Sequence, residues 1–281
     1  MGNCLSGGLG CIGEEAEFEP FRLTGGVVRV LIVCLNYSNT RLPLEAILDG
    51  DNMKRICDLA EVQDVTIMRD DLAIDNPLFP NVKNIRRSMA DIGKRCKAND
   101  YFVWFYAGHG ENVPDAPPED ENDGFDQAFV LPEQRSGKAD FKDHSAWLID
   151  DLFALTVDES IPKECRVLAI NDCCHSGTIC DIDTYSWKHR VIAIGACQDD
   201  QESIDTDGGG ALSLCLSKAM EQLSWERGAK EYSIKSIYDK AVAYLPKIHP
   251  RAAEIQQMSL QYANCDPEYT PWPMPHPWWK K

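Results

Sequence analysis

Two short segments carry residue types able to run a nucleophilic reaction: Ala107-Gly108-His109-Gly110 and Asp172-Cys173-Cys174-His175-Ser176-Gly177. A thiol attacks as its thiolate, so near neutral pH it needs a lowered pKa or an adjacent base. An imidazole such as His109 supplies that base and can then protonate a leaving amine. Small residues around both segments let backbone N–H groups approach a developing oxyanion, and Gly110 and Cys174 are each placed to donate one. The residue types alone do not choose between the Cys173 and Cys174 thiols. Read singly, each segment also suits a structural role, as a glycine turn bearing a half-exposed His and as a buried pair of small hydrophobic thiols. The chemistry requires that the two segments meet.

The elements that must bring them together follow from hydrophobic patterning. Val27 to Val33, Val65 to Met68, Tyr101 to Tyr106, Ala128 to Leu131, Arg166 to Ile170 and Val191 to Ile194 are short apolar runs that read as buried strands. Helical spacing is expected over 44–59, 82–96, 212–223 and 234–244, with a short helix over 150–155. The acidic, Pro-bearing stretch 111–126 reads as a loop. Strand and helix alternate, which predicts an α/β fold with a mostly parallel sheet and helices on both faces. Open sheets of this kind place their sites at the carboxyl ends of strands, where both segments fall. A leader over 1–24, one body over 25–264 and a Pro/Trp-rich tail over 265–281 complete the expected organisation.

Composition narrows the partners. Twenty-eight basic against forty-five acidic side chains leave a formal charge of −17, which repels phosphate backbones and argues against nucleic acid. It suits a cation or a basic peptide. Twelve cysteines in 281 residues are too sparse for a disulfide-stapled secreted domain, and none falls in paired C-x2-C spacing, so a reducing, cytoplasmic setting is expected. A metal site made of Cys173, Cys174 and His175 is disfavoured because adjacent ligands strain tetrahedral geometry. The first residues, Met1-Gly2-Asn3-Cys4-Leu5-Ser6, fit the N-myristoylation pattern with Gly2 as acceptor. One acyl chain holds a protein only marginally, so Cys4 is the expected palmitoylation site supplying a second. The chain is thus expected at the cytosolic face of a membrane.

Tyr106-Ala107-Gly108-His109-Gly110 and Asp172-Cys173-Cys174-His175-Ser176-Gly177 resemble the His and Cys boxes of the metacaspases, caspase-like cysteine peptidases. Asn36-Tyr37, Asp49-Gly50-Asp51-Asn52-Met53, Arg69-Asp70-Asp71, Asp123-Gly124-Phe125-Asp126 and Asp199-Asp200-Gln201-Glu202-Ser203 resemble further family segments in the same order. The resemblance, closest to the type I arrangement, implies a caspase-like fold, a monomer, and Cys174, directly before His-Ser-Gly, as nucleophile with His109. It implies cleavage after Arg or Lys, with Asp172 and Asp49 in the acidic substrate pocket, where a guanidinium gains paired hydrogen bonds. It further implies calcium stimulation through Asp126, Asp150, Asp151 and Asp181, oxygen donors of the kind Ca2+ takes. Self-cleavage near Lys188 and Arg190 fits the same pattern. Ala107 stands where Ser or Thr usually precedes Gly-His-Gly, and Ala46 and Leu48 replace a usual Cys and Asn, departures that bear on substrate preference. The alternative is a caspase-like pseudopeptidase acting as a membrane-tethered interaction protein.

Overall fold

The apolar run Tyr101–Ala107 forms β3, and its alternation sorts side chains to two cores. Tyr101, Val103, Phe105 and Ala107 face one side of the sheet, while Phe102, Trp104 and Tyr106 face the other. The computed structural model describes residues 26–115, 124–198, 201, 203, 205–206, 209–227, 231–251 and 255–276. The expected leader with Gly2 and Cys4, and the end of the tail with Trp278 and Trp279, lie outside the described residues.

β3 sits inside a six-stranded sheet of order β11-β8-β7-β3-β1-β2. Its members are β1 (Val28–Cys34), β2 (Asp64–Arg69), β3, β7 (Arg166–Asp172), β8 (Arg190–Gly195) and β11 (Ser259–Ala263), while β9 (Asp205–Thr206) and β10 (Gly209–Gly210) pair separately. All pairings are parallel except β11, which runs antiparallel to β8 at the edge. Parallel neighbours need crossovers, and helices supply most of them. These are α1 (Ile47–Leu59), α2 (Val82–Gly93), α3 (Asp150–Ser160), α4 (Ala211–Arg227) and α5 (Ile234–Ile248). α1, α4 and α5 bury their apolar faces in one core, and α2 and α3 in the other.

Local signals set the helix starts. Asn81 accepts the Asn84 amide at 2.9 Å to cap α2, and Ser233 accepts the Ser236 amide at 3.1 Å to cap α5. At α1, Asn36 Oδ1 takes the Ile47 amide at 2.8 Å, while Asp70 takes the amides of Asn36 and Tyr37 at 2.9 and 2.7 Å.

Three departures from the sequence expectation concern irregular pieces. The stretch 111–126 is not all loop: Gly110–Pro114 is β4, paired antiparallel with β5 (Phe125–Phe129), and β6 (Leu148–Ile149) completes a second small sheet. Within the described part of that stretch, cross-strand pairing outweighs polar composition. α3 continues to Ser160, well past residue 155, because Phe153, Ala154 and Val157 reach the core. β11 has no counterpart among the expected strands. The described part of the tail does pack on the body, with Trp272 buried and its amide 2.8 Å from the Tyr232 carbonyl.

Candidate active site

Register brings the two reactive segments together. β3 and β7 are adjacent, parallel and aligned so that Ala107 faces Asp172. His109 and Cys174 therefore each stand two residues beyond the same rung. The Gly108 amide crosses to the Asp172 carbonyl at 3.4 Å. A Cβ built on Gly110 would lie 2.1 Å from the Cys174 carbonyl oxygen, closer than any side chain tolerates. Only glycine lets the backbone after His109 lie directly on the backbone of Cys174. The two amides expected to face an oxyanion thus belong to touching stretches of chain.

The two thiols differ sharply. Cys173 is fully buried, and burial pushes its thiol far above the ordinary value, with Cys197 and Cys174 adding to the rise. Cys174 is half-buried, and its Sγ accepts the Ser203 amide at 3.3 Å. His175 follows in the left-handed region, φ 53°, which turns the chain away directly after Cys174. Ser176 Oγ accepts the Cys197 amide at 3.1 Å, so the turn after β8 braces the Cys segment from outside.

His109 is held on three sides. Its amide donates to Tyr37 Oη at 3.0 Å, and its carbonyl accepts from Tyr106 Oη at 2.8 Å. The imidazole packs against the rings of Tyr37 and Phe141, at centroid separations of 4.7 and 5.2 Å. Nε2 lies 2.8 Å from the Leu42 carbonyl. A carbonyl can only accept, so that contact assigns the Nε2 proton and makes Nδ1 the basic nitrogen of the neutral ring.

Asp49 and Asp172, far apart in sequence, converge on one backbone step at the start of α4. Asp49 Oδ1 accepts the Gly210 amide and the Ser213 hydroxyl, each at 2.6 Å, and Asp172 Oδ2 accepts the Ser213 amide at 3.0 Å. A Cβ on Gly209 would come within 2.5 Å of Asp49 Oδ1, and one on Gly210 within 2.5 Å of Asp172 Oδ2. Two buried carboxylates therefore flank the glycine pair beside the Cys segment. Gly209, Gly210, Ser213, Ser203 and Leu42 were not singled out as site residues from sequence. The glycine run before a helix was the one available signal of close backbone approach.

The four remaining acids are Asp126 on β5, Asp150 and Asp151 at the start of α3, and Asp181 beyond the Cys segment. Asp126, Asp150 and Asp181 are buried, and Asp151 is half-buried at the first turn of α3. Asp150 accepts the amides of Gln127 at 2.7 Å and Asp151 at 3.0 Å, and Asp181 accepts the Tyr185 amide at 3.0 Å and the Thr184 hydroxyl. Burial pushes the Asp150 carboxyl up to about 8; its amide bonds oppose the rise, and Asp126 and Asp181 add to it. Among the described residues, no group of three or more His, Cys, Asp or Glu side chains is already gathered as a metal ion requires.

An acid whose folded pKa is raised binds its proton in the folded state where the unfolded chain has lost it. Stability from this group is therefore highest at low pH and falls as pH climbs from about 4 to about 8. Asp150→Asn is expected to flatten that decline in the metal-free protein. Thermal midpoints measured across this window, wild type against variant, check it; parallel curves would contradict it.

Lys188 and Arg190 are both exposed, but the backbone that carries them is pinned. Lys188 reaches solvent and pairs with Asp158 at 2.9 Å, yet Trp187 and His189 on either side are buried, and Arg190 begins β8. His189 is fixed by Asp158 at 2.8 Å and the Ile161 carbonyl at 2.9 Å. A cut here requires this segment to lift from the core.

Comparison with known proteins points one way. A family model described as "Metacaspase, peptidase C14 domain" matches residues 28–183, more than half of the chain. Metacaspase-2 of Arabidopsis thaliana is 27% identical over 253 residues, covering 76% of this chain and 58% of the relative. Metacaspase-5 of Trypanosoma cruzi is 30% identical, covering 73% of this chain and 51% of the relative. Inactive metacaspase-4 of Trypanosoma brucei brucei is 24% identical, covering 74% and 67%. A solved protein of Geobacter sulfurreducens shares the fold at TM-score 0.62 and 22% identity, covering 89% of this chain and 99% of that one. The chain spans a little over half the length of the first two relatives.

Proposed function

Because the chain belongs to the metacaspase family of caspase-like cysteine peptidases, we propose that it is an endopeptidase that cleaves after Arg or Lys. Cys174 is its nucleophile and His109 its acid/base partner. The observation that supports the reading is the Ala107–Asp172 rung, with Gly110 packed on Cys174, which sets a half-buried thiol and a held imidazole at the carboxyl ends of neighbouring strands.

In this mechanism His109 Nδ1 takes the Cys174 proton, and the thiolate attacks the carbonyl after the basic residue. The amides of Gly110 and Cys174 face the oxyanion. His109 returns the proton to the departing amine, and water then releases the acyl group through the same base. The carboxylates of Asp172 and Asp49 receive the substrate's guanidinium or ammonium. Each carboxylate has about four acceptor sites, so contacts to the α4 start leave room for a cation.

Asp126, Asp150, Asp151 and Asp181 are the residues that would hold calcium. The donor set fits a hard cation, because it is all oxygen, and burial, with Asp126 and Asp181 adding to it, drives Asp150 toward protonation. Asp150 and Asp181 would share their oxygens between that ion and the amides and hydroxyl they accept from. When bound, the ion supplies the positive charge that lets all four remain ionised. Acylation at Gly2, with Cys4 as a second anchor, remains part of the proposal; it expects Gly2→Ala to move the full chain to the soluble fraction, and unchanged membrane association would reject it.

Fluorogenic peptides ending in Arg, Lys or Asp, assayed with calcium or a chelator, test the reading as a whole. Hydrolysis of the Arg and Lys peptides, stimulated by calcium, is expected. No hydrolysis of any peptide would favour a pseudopeptidase, the state the name of the Trypanosoma brucei brucei relative describes. Preference for the Asp peptide would reject the acidic pocket.

A further inference from the structure

We propose that the backbone N–H of Ser203 holds the Cys174 sulfur as its thiolate, and that Gln201 is the positioning residue that places this amide. The proposal rests on Cys174 being the nucleophile of the reading above. The Ser203 nitrogen lies 3.3 Å from Cys174 Sγ, whereas the Ser203 hydroxyl oxygen lies 3.8 Å away. The amide therefore makes the closer contact. A hydrogen bond donated to sulfur favours the charged form over the neutral thiol, and such charge-assisted bonds are the strong ones.

The amide is not left to a free loop. The Gln201 carbonyl accepts the His175 amide at 3.3 Å and the Cys197 thiol at 3.2 Å. Its side-chain Oε1 accepts the amides of Gln198 at 3.3 Å and Gln257 at 2.8 Å. One residue thus ties the turn to the segment just after the nucleophile, to its own start, and to the chain leading into β11. Ser203 sits two residues further on.

The two partners of the sulfur divide the work. On ionisation the S–H proton passes to His109 Nδ1, and the negative charge left on sulfur faces the Ser203 amide. Loss of that amide should lower the thiolate fraction near neutral pH. It should leave the high-pH plateau of reactivity undiminished, because a less stabilised thiolate is the better nucleophile. A purely structural role for the turn would not separate midpoint from plateau.

The test measures the alkylation rate of the full chain by iodoacetamide against pH, reading the Cys174 peptide by mass spectrometry. Ser203→Pro removes the N–H, and its midpoint is expected to rise by about one pH unit or more. Ser203→Ala keeps the N–H and the wild-type midpoint. Gln201→Ala loosens the turn and moves the midpoint the same way by a smaller amount, which decides the matter if Ser203→Pro does not fold. Unmoved midpoints in the folded variants, or a shift in Ser203→Ala as large as in Ser203→Pro, would overturn the proposal. Absent peptide hydrolysis with the midpoint shift intact would sink the peptidase reading and leave this one standing. Hydrolysis with unmoved midpoints would do the reverse.

Discussion

Cys174→Ala is expected to reduce hydrolysis of an Arg-terminated peptide to background, a loss on the order of 10³-fold or more, since no other group supplies the covalent step. Cys173→Ala is expected to keep turnover within about tenfold of wild type and to lose stability instead. Cys173 is fully buried among Cys197 and the second core, and its thiol is pushed far above the range where a thiolate forms. Removing its sulfur takes away a small hydrophobic group, a cost of roughly 1 kcal/mol. Initial rates and thermal midpoints of both variants separate the roles. A dead Cys173→Ala with a live Cys174→Ala would reverse the assignment.

Asp172→Asn should be the most damaging change outside the dyad. The amide is close to isosteric, and its oxygen can still accept the Ser213 N–H that Asp172 receives now at 3.0 Å. What disappears is the charge that the proposed pocket would offer a guanidinium. Removing one side of a buried charged pair costs roughly 2–4 kcal/mol, or about 30- to 10³-fold in kcat/KM for an Arg substrate. Asp49→Asn is expected to act in the same direction, because Asp49 approaches the same glycine step from the other side. Steady-state kinetics should show loss for Arg and Lys peptides while iodoacetamide still reaches Cys174. Full activity of both variants toward Arg peptides would remove the acids from the pocket.

The central sheet was legible in the sequence because burial on both faces leaves near-continuous apolar runs. Tyr101–Ala107 and Arg166–Asp172 are such runs, and each ends at a reactive segment. β11 was not legible. At the sheet edge it alternates Ser259, Leu260, Gln261 and Tyr262, and Tyr262 stays half exposed, so there is no β-branched stretch to mark it. β4 was hidden for a related reason: Gly110-Glu111-Asn112-Val113-Pro114 is polar and carries glycine and proline, yet pairing with β5 makes it a strand.

The site divides along the same line. His109 and the Cys173-Cys174 pair could be named because their side-chain types suit nucleophilic chemistry, whereas Asp172, Asp49 and the choice of Cys174 came from the resemblance to the metacaspases. Ser203 and Leu42 contribute backbone groups, which no residue type announces. The choice between the thiols was likewise invisible in spacing, since adjacent cysteines differ only in which way the chain turns them. Full burial of Cys173 and only partial burial of Cys174 separate them physically.

The most direct measurement is affinity labelling of the full chain with a peptide ending in arginine chloromethyl ketone, followed by mass spectrometry of the digest. One adduct, on the sulfur of Cys174, with loss of peptidase activity in proportion, is the expected result. An adduct on Cys173 or elsewhere, or activity that survives complete modification of Cys174, would contradict the account.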